Sequence, residues 1–290
     1  MHRCIYFILL IWSGNLYGQS GSEIYLFDLS SDIRNVTISN PRNISQRPGY
    51  DNQPHFYDNG KKVLFTSMED NNQTNIYSHQ IKSGKTRKVF NTTVSEYSPT
   101  PIDNGKYFTC VVVEENGDQR LWRYKINGKE RSPVFKSINF VGYHCRIDEH
   151  RIGLFILGDP NTLQIGNKVT GNSLYVTEKI GRSMQLIPGE EALLAFVQKK
   201  DSAHWMIRSL DPNNLAMNDI IETLPGSEDF CITGDGNILM AQGNTLFKYN
   251  IKTDIDWSKV ADLTDHGIKN HCSRLAVSAN DMKLAIVVRE

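Results

Sequence analysis

The sequence predicts an all-β chain closed into a six-bladed β-propeller of four-stranded antiparallel blades. Three observations carry that reading. A hairpin pattern, Asn52-Gln53-Pro54-x-Phe56-x-Asp58-Asn59-Gly60-Lys61, leads into the strand-like run Val63-Leu64-Phe65. It returns at Pro99 to Thr109, and Gly60 and Gly105 lie 45 residues apart (105 − 60). A step of about 40–45 residues is that of a propeller blade. The third observation is at the ends. The last copy stops after two strands, and two strands without a hairpin stand near the N-terminus, so the fragments complete one blade. Such closure removes the exposed sheet edges that an open array would leave.

Taken in order, the chain begins with Met1-His2-Arg3-Cys4, an apolar run Ile5–Trp12, and a smaller, more polar stretch to Gly18. A basic start, a short apolar stretch and a small-residue end read as a signal peptide over residues 1–18, leaving 19–290 as one domain. Glu23–Leu29 and Arg34–Ile38 are the two unpaired strands. Blade one holds the opening hairpin, then Thr74–Ile81 and Thr86–Phe90. Blade two turns at Asp103-Asn104-Gly105 and continues through Gln119–Ile126 and Pro133–Phe135. Turns rich in Asp, Asn and Gly accept the positive φ that short hairpins require. Weaker copies follow at Tyr143–Leu157, Ser183–Leu210, Asp229–Ile251 and Arg274–Val288. Residues 135–142 and 213–226 read as inter-blade loops, the latter with a helical turn at Asn214–Met217.

Composition excludes several classes. The 32 basic and 32 acidic residues balance, which gives no reason to expect binding to nucleic acid or to anionic membranes. There is no G-x-S-x-G elbow, P-loop, H-E-x-x-H, EF-hand loop or C-x-x-C, and no cofactor is expected. Past the leader, Cys110, Cys145, Cys231 and Cys272 are widely spaced within or beside strands and read as buried free thiols, although export would permit disulfides.

The two early copies, with Asn43-Ile44-Ser45 and Gly49–Asn52 before them, resemble the propeller repeat of TolB-type proteins, in which a Pro and an aromatic precede an Asp-Gly-Lys turn and an apolar strand. Here one residue is inserted in that turn, at Asn59; Asn104-Gly105-Lys106 and Asn280–Lys283 are looser matches. The resemblance covers the mature chain and implies a bacterial, exported, stand-alone propeller without the N-terminal domain of TolB. In a bacterium the sequons at Asn35, Asn43, Asn72 and Asn91 are incidental.

Candidate function lies where the inner strands begin. Asn52, Gln53, His55, Glu96, Tyr97, Tyr143, His144, Glu228, Asp229 and His271 fall there, polar and aromatic groups on one ring face. They point to a non-catalytic module of the cell envelope, periplasmic or secreted, that binds a protein, a peptide or a glycan; a monomer is expected. The alternative is a metal-dependent polysaccharide lyase with His55, His144 and His271 in the channel, as the related propeller of oligogalacturonate lyases implies. His79, His150, His204 and His266 read as solvated.

Overall fold

The chain is described by a computed structural model over residues 21–189 and 192–290; the expected leader, 1–18, lies outside these residues. Strands β1 (Ser22–Ser31) and β2 (Val36–Asn43) come first. Blade one is β3 (Asp51–Tyr57), β4 (Lys62–Met68), β5 (Thr74–Gln80) and β6 (Lys85–Lys88). Blade two is β7 (Ser95–Ile102), β8 (Tyr107–Val113), β9 (Gln119–Lys125) and β10 (Arg131–Pro133). Blade three is β11 (Val141–Arg146), β12 (Arg151–Ile156), β13 (Thr162–Asn167) and β14 (Ser173–Glu178). Blade four is β15 (Ile180–Leu186), β16 (Leu194–Lys199), β17 (Trp205–Leu210) and β18 (Met217–Glu222). Blade five is β19 (Phe230–Ile232), β20 (Asn237–Gln242), β21 (Thr245–Asn250) and β22 (Ser258–Asp262). The chain ends with β23 (Cys272–Val277) and β24 (Lys283–Arg289).

Six four-stranded antiparallel sheets result, and the sixth has the order β2-β1-β24-β23. The two-plus-two closure is therefore present. β1 runs along β24 in an unbroken register from Ser22 opposite Arg289 to Asp28 opposite Lys283. Ser22 then ties the closing blade to blade one, its N–H donating to the Gly49 carbonyl at 2.8 Å and its hydroxyl to the Asp51 carbonyl at 2.9 Å.

The second strand of each blade is apolar on both faces because each sheet is sandwiched between two neighbours. In β4, Val63, Leu64 and Phe65 are all buried, and in β16 Leu194, Ala195, Phe196 and Val197 are. The core is accordingly split into six apolar clusters, one in each gap between adjacent blades. The hairpin turns need left-handed residues: φ is +55°, +54° and +77° at Asp58, Asn59 and Gly60, and Gly105 repeats the +77° of Gly60.

Two expectations are corrected. Residues 213–226 are not a free loop with a helical turn, since Met217 opens the outer strand β18. His79 is buried rather than solvated, its Nδ1 2.8 Å from the Thr86 hydroxyl across the β5–β6 pair. The four cysteines are free thiols, three buried and Cys145 half-buried.

Candidate functional site: the channel mouth

The inner strands do more than line the channel. β3, β7, β11, β15 and β23 each carry a register shift against the second strand of the blade. A bulge of this kind turns the side chain beside it out of the sheet's alternation. Here Gln53 and Ser98 sit at φ of +58° and +53° in equivalent bulges of blades one and two.

The bulged ends gather a ring of large polar side chains at the face where the inner strands begin. Tyr143, Arg182, Asp229 and Arg274 line one channel cavity together. Tyr50 and Tyr97 stand beside them. Burial raises the Tyr50 phenol above its ordinary range, and it feels the charges of Arg274 and Arg182 and the hydroxyls of Tyr143 and Tyr97. Blade by blade the ring runs Tyr50, Tyr97, Tyr143, Arg182, Asp229, Arg274.

Arg274 donates to the Tyr143 hydroxyl at 2.7 Å and stacks over that ring with its guanidinium carbon 4.8 Å from the centroid. Arg182 clamps Asp229 with two hydrogen bonds, one from Nε at 2.9 Å, and lies 3.3 Å from Glu228. Lys199 adds a second cation to Glu228 at 2.8 Å. Burial works to raise the Asp229 carboxyl, but Arg182 and Arg274 outweigh it and hold Asp229 below the usual carboxylate range. The Arg182 guanidinium is raised further by the same acids, so both groups stay charged.

Deeper in the channel stand His55 and His144. Desolvation lowers the His55 imidazole to about 4 and that of His144 to about 3. Both are neutral at pH 7. An imidazole lowered on folding lends stability that is whole above pH 6.5, and this is lost as pH falls through the folded values. The cavity that these histidines share with Tyr143, Arg182, Asp229 and Arg274 has a volume of about 80 Å³.

The other sequence candidates fall in four places. Tyr97, Tyr143, Glu228 and Asp229 belong to the mouth. His271 is exposed on the same face, but beside a separate cavity with Arg182, Trp205 and Arg289, so it does not join His55 and His144. Among the described residues no three His, Cys, Asp or Glu side chains are grouped as a metal would require. Asn52 and Gln53 are buried struts, and Gln53 also lines the channel cavity. The Gln53 carbonyl oxygen accepts from the Thr66 hydroxyl at 2.8 Å and from the Ser98 N–H at 2.7 Å, which joins blade one to blade two. Asn52 accepts from the Gln53 N–H at 2.8 Å.

Glu96 also leaves the mouth. It faces the gap between blades one and two, where its charge is felt by Cys110 and Tyr124. Oε1 accepts from the Thr92 hydroxyl at 2.5 Å, while Oε2 has no partner. Desolvation raises the carboxyl from 4.5 to about 7. A carboxyl raised on folding contributes stability below pH 4.5 that is lost as pH rises through about 7. Glu96→Gln should therefore melt several degrees above the wild type at pH 8 and level with it near pH 4. Equal melting temperatures at pH 8, by calorimetry, would refute the buried-carboxyl assignment.

Sequence reasoning did not single out Tyr50, Arg182 or Arg274. Arg182 and Arg274 lie in weak copies, where the hairpin pattern fixes no register, although both directly adjoin the inner-strand runs that the sequence does mark.

The fold defines the class: a six-bladed β-propeller of the TolB type in fold. The chain is similar to a candidate TolB of Agrobacterium tumefaciens, at 13% identity and a TM-score of 0.68, over 94% of this chain and 99% of that one. It is similar to a chain of a nidogen–laminin complex at 12% identity and TM-score 0.61, covering 82% of this chain and 93% of that one. An oligogalacturonate lyase bound to manganese matches at 11% identity and TM-score 0.58, over 88% of this chain and 83% of that one. No protein-family model and no curated relative matches the sequence.

Proposed function

We propose that the protein is an exported, non-catalytic binding module of the cell envelope that holds a protein or peptide partner at the channel mouth. The observation that carries this reading is the ring of Tyr50, Tyr97, Tyr143, Arg182, Asp229 and Arg274. Tyrosine and arginine are the side chains that most often dominate protein interfaces, because they bring large rigid area and several donors together. Hydrogen bonds from Arg274 to Tyr143 and from Arg182 to Asp229 preorganise four of the six, which lowers the entropy cost of binding. A partner acid suits Arg274 best, since Arg182 already clamps a carboxylate while the Arg274 guanidinium hydrogen-bonds a neutral phenol. The nidogen–laminin and TolB likenesses support a propeller face as a binding surface by fold analogy alone. Among the described residues no helix is long and apolar enough to cross a membrane, which suits an exported domain.

The lyase reading rests on the oligogalacturonate lyase likeness. It is the weaker one, because His271 stands apart from His55 and His144. The test is retention of a partner from envelope extract by immobilised protein. Arg274→Glu should abolish retention, with circular dichroism confirming that the fold is kept. Retention equal to wild type sinks the mouth as the binding site, and cleavage of oligogalacturonate by the wild type would turn the reading to the enzyme.

A further inference from the structure

On the opposite face, where the hairpin turns lie, a cleft of about 470 Å³ opens between blades two and three. That volume is in the range of small-ligand sites, roughly 300–1,000 Å³. One wall is apolar, made by Ile102, Pro133, Val134 and Ile152. The other is cationic. Arg123 and Arg146 reach the single carboxylate of Asp103 at 3.5 and 3.2 Å, so ten guanidinium N–H donors by chemistry face one acid. Arg123 is braced by stacking on Tyr107, its guanidinium carbon 3.4 Å from the ring centroid, and Arg146 by its Nε donating to the Asp148 carbonyl at 3.1 Å. Lys168 adds a third cation and Glu149 a second acid, which leaves the lining one charge positive.

The deep end of the cleft is His144, which it shares with the channel. His144 is 9% exposed, and its Nδ1 has no hydrogen-bond partner. Its Nε2 pairs with the Thr109 hydroxyl at 2.7 Å, and that hydroxyl also lies 3.4 Å from the Thr100 carbonyl.

We propose that this cleft binds a small amphipathic carboxylate, its apolar body against the Ile102–Pro133–Val134–Ile152 wall and its carboxylate taking donors from Arg123 and Arg146. Nothing in this site depends on the channel mouth, because the cleft opens on the other face.

Calorimetric titration with benzoate at fixed ionic strength tests it, with benzamide as the uncharged counterpart and inorganic phosphate as the anion without an apolar body. One-to-one binding of benzoate is expected, with benzamide and phosphate at least tenfold weaker. Arg123→Gln and Arg146→Gln, both at half-exposed positions that the fold tolerates, should each weaken benzoate about tenfold, the loss of one charge-assisted hydrogen bond. No benzoate binding overturns the proposal. So does benzamide binding equally, which would show a merely apolar cleft, or phosphate binding equally, which would show only a charge. Unchanged affinity in both arginine variants does the same.

Discussion

Removing residues 21–43 is expected to abolish cooperative unfolding and to send the protein into aggregates. β1 contributes Ile24, Leu26, Phe27 and Leu29, all buried, to two inter-blade clusters at once. Each large apolar side chain is worth roughly 1.5–3 kcal/mol on burial. Four of them together reach the whole stability of a typical domain, about 5–15 kcal/mol. The deletion also leaves β24 unpaired on one side, exposing a long apolar edge through Leu284, Ala285, Ile286 and Val287. A calorimetric transition unchanged in midpoint and enthalpy would refute the closing-blade role of β1 and β2.

Asp229→Ala should have the second largest effect. It leaves the Arg182 guanidinium at the mouth facing Glu228 alone, beyond the 2.9 Å clamp it loses. Breaking a fully buried pair costs about 3–5 kcal/mol, and an exposed one under 1. Arg182 keeps 30% side-chain exposure against 10% for Asp229, so a value near 2 kcal/mol is expected. In a domain of this size that corresponds to roughly 4–8 °C of melting temperature. The loss should fade in acid. A carboxyl held low on folding lends stability that is present above pH 3.8 and lost as pH falls through its folded value. Melting curves of the wild type and Asp229→Ala at pH 7 and pH 3 check both the size and the sign. A gap that widens in acid would contradict the ion pair.

Much of the fold is legible in the sequence for a physical reason. The second strand of every blade is covered on both faces and so must be an apolar run, as in Val63–Phe65 and Leu284–Val288. The turns need positive φ, hence the repeated Asp, Asn and Gly. The outermost strands of blades three to five escape notice because they face solvent. β14 is largely exposed, and β18 alternates too weakly around Asn218 and Asp219 to stand out from a loop.

The site is less legible because bulges decide it. The repeat marks where inner strands begin, and Tyr143 and Asp229 follow from that. It does not mark which neighbours a bulge turns inward. Asn52 and Gln53 hold positions like those of the mouth residues in sequence and become struts instead, because Gln53 takes the left-handed backbone that points its amide at Ser98. Glu96, one residue before Tyr97, alternates away from the channel into the gap between blades. A single copy of a weak repeat carries too little register to show this.

The central claim is that partners engage the face where the inner strands begin. The most direct measurement places a photo-crosslinking residue at His271, exposed on that face, and separately at Ile255, fully exposed on the turn between β21 and β22 on the opposite face. After irradiation in envelope extract, a discrete adduct is expected from position 271 and none from 255, and Arg274→Glu should remove it. An adduct formed only from position 255, or one from 271 that survives Arg274→Glu, would contradict the account.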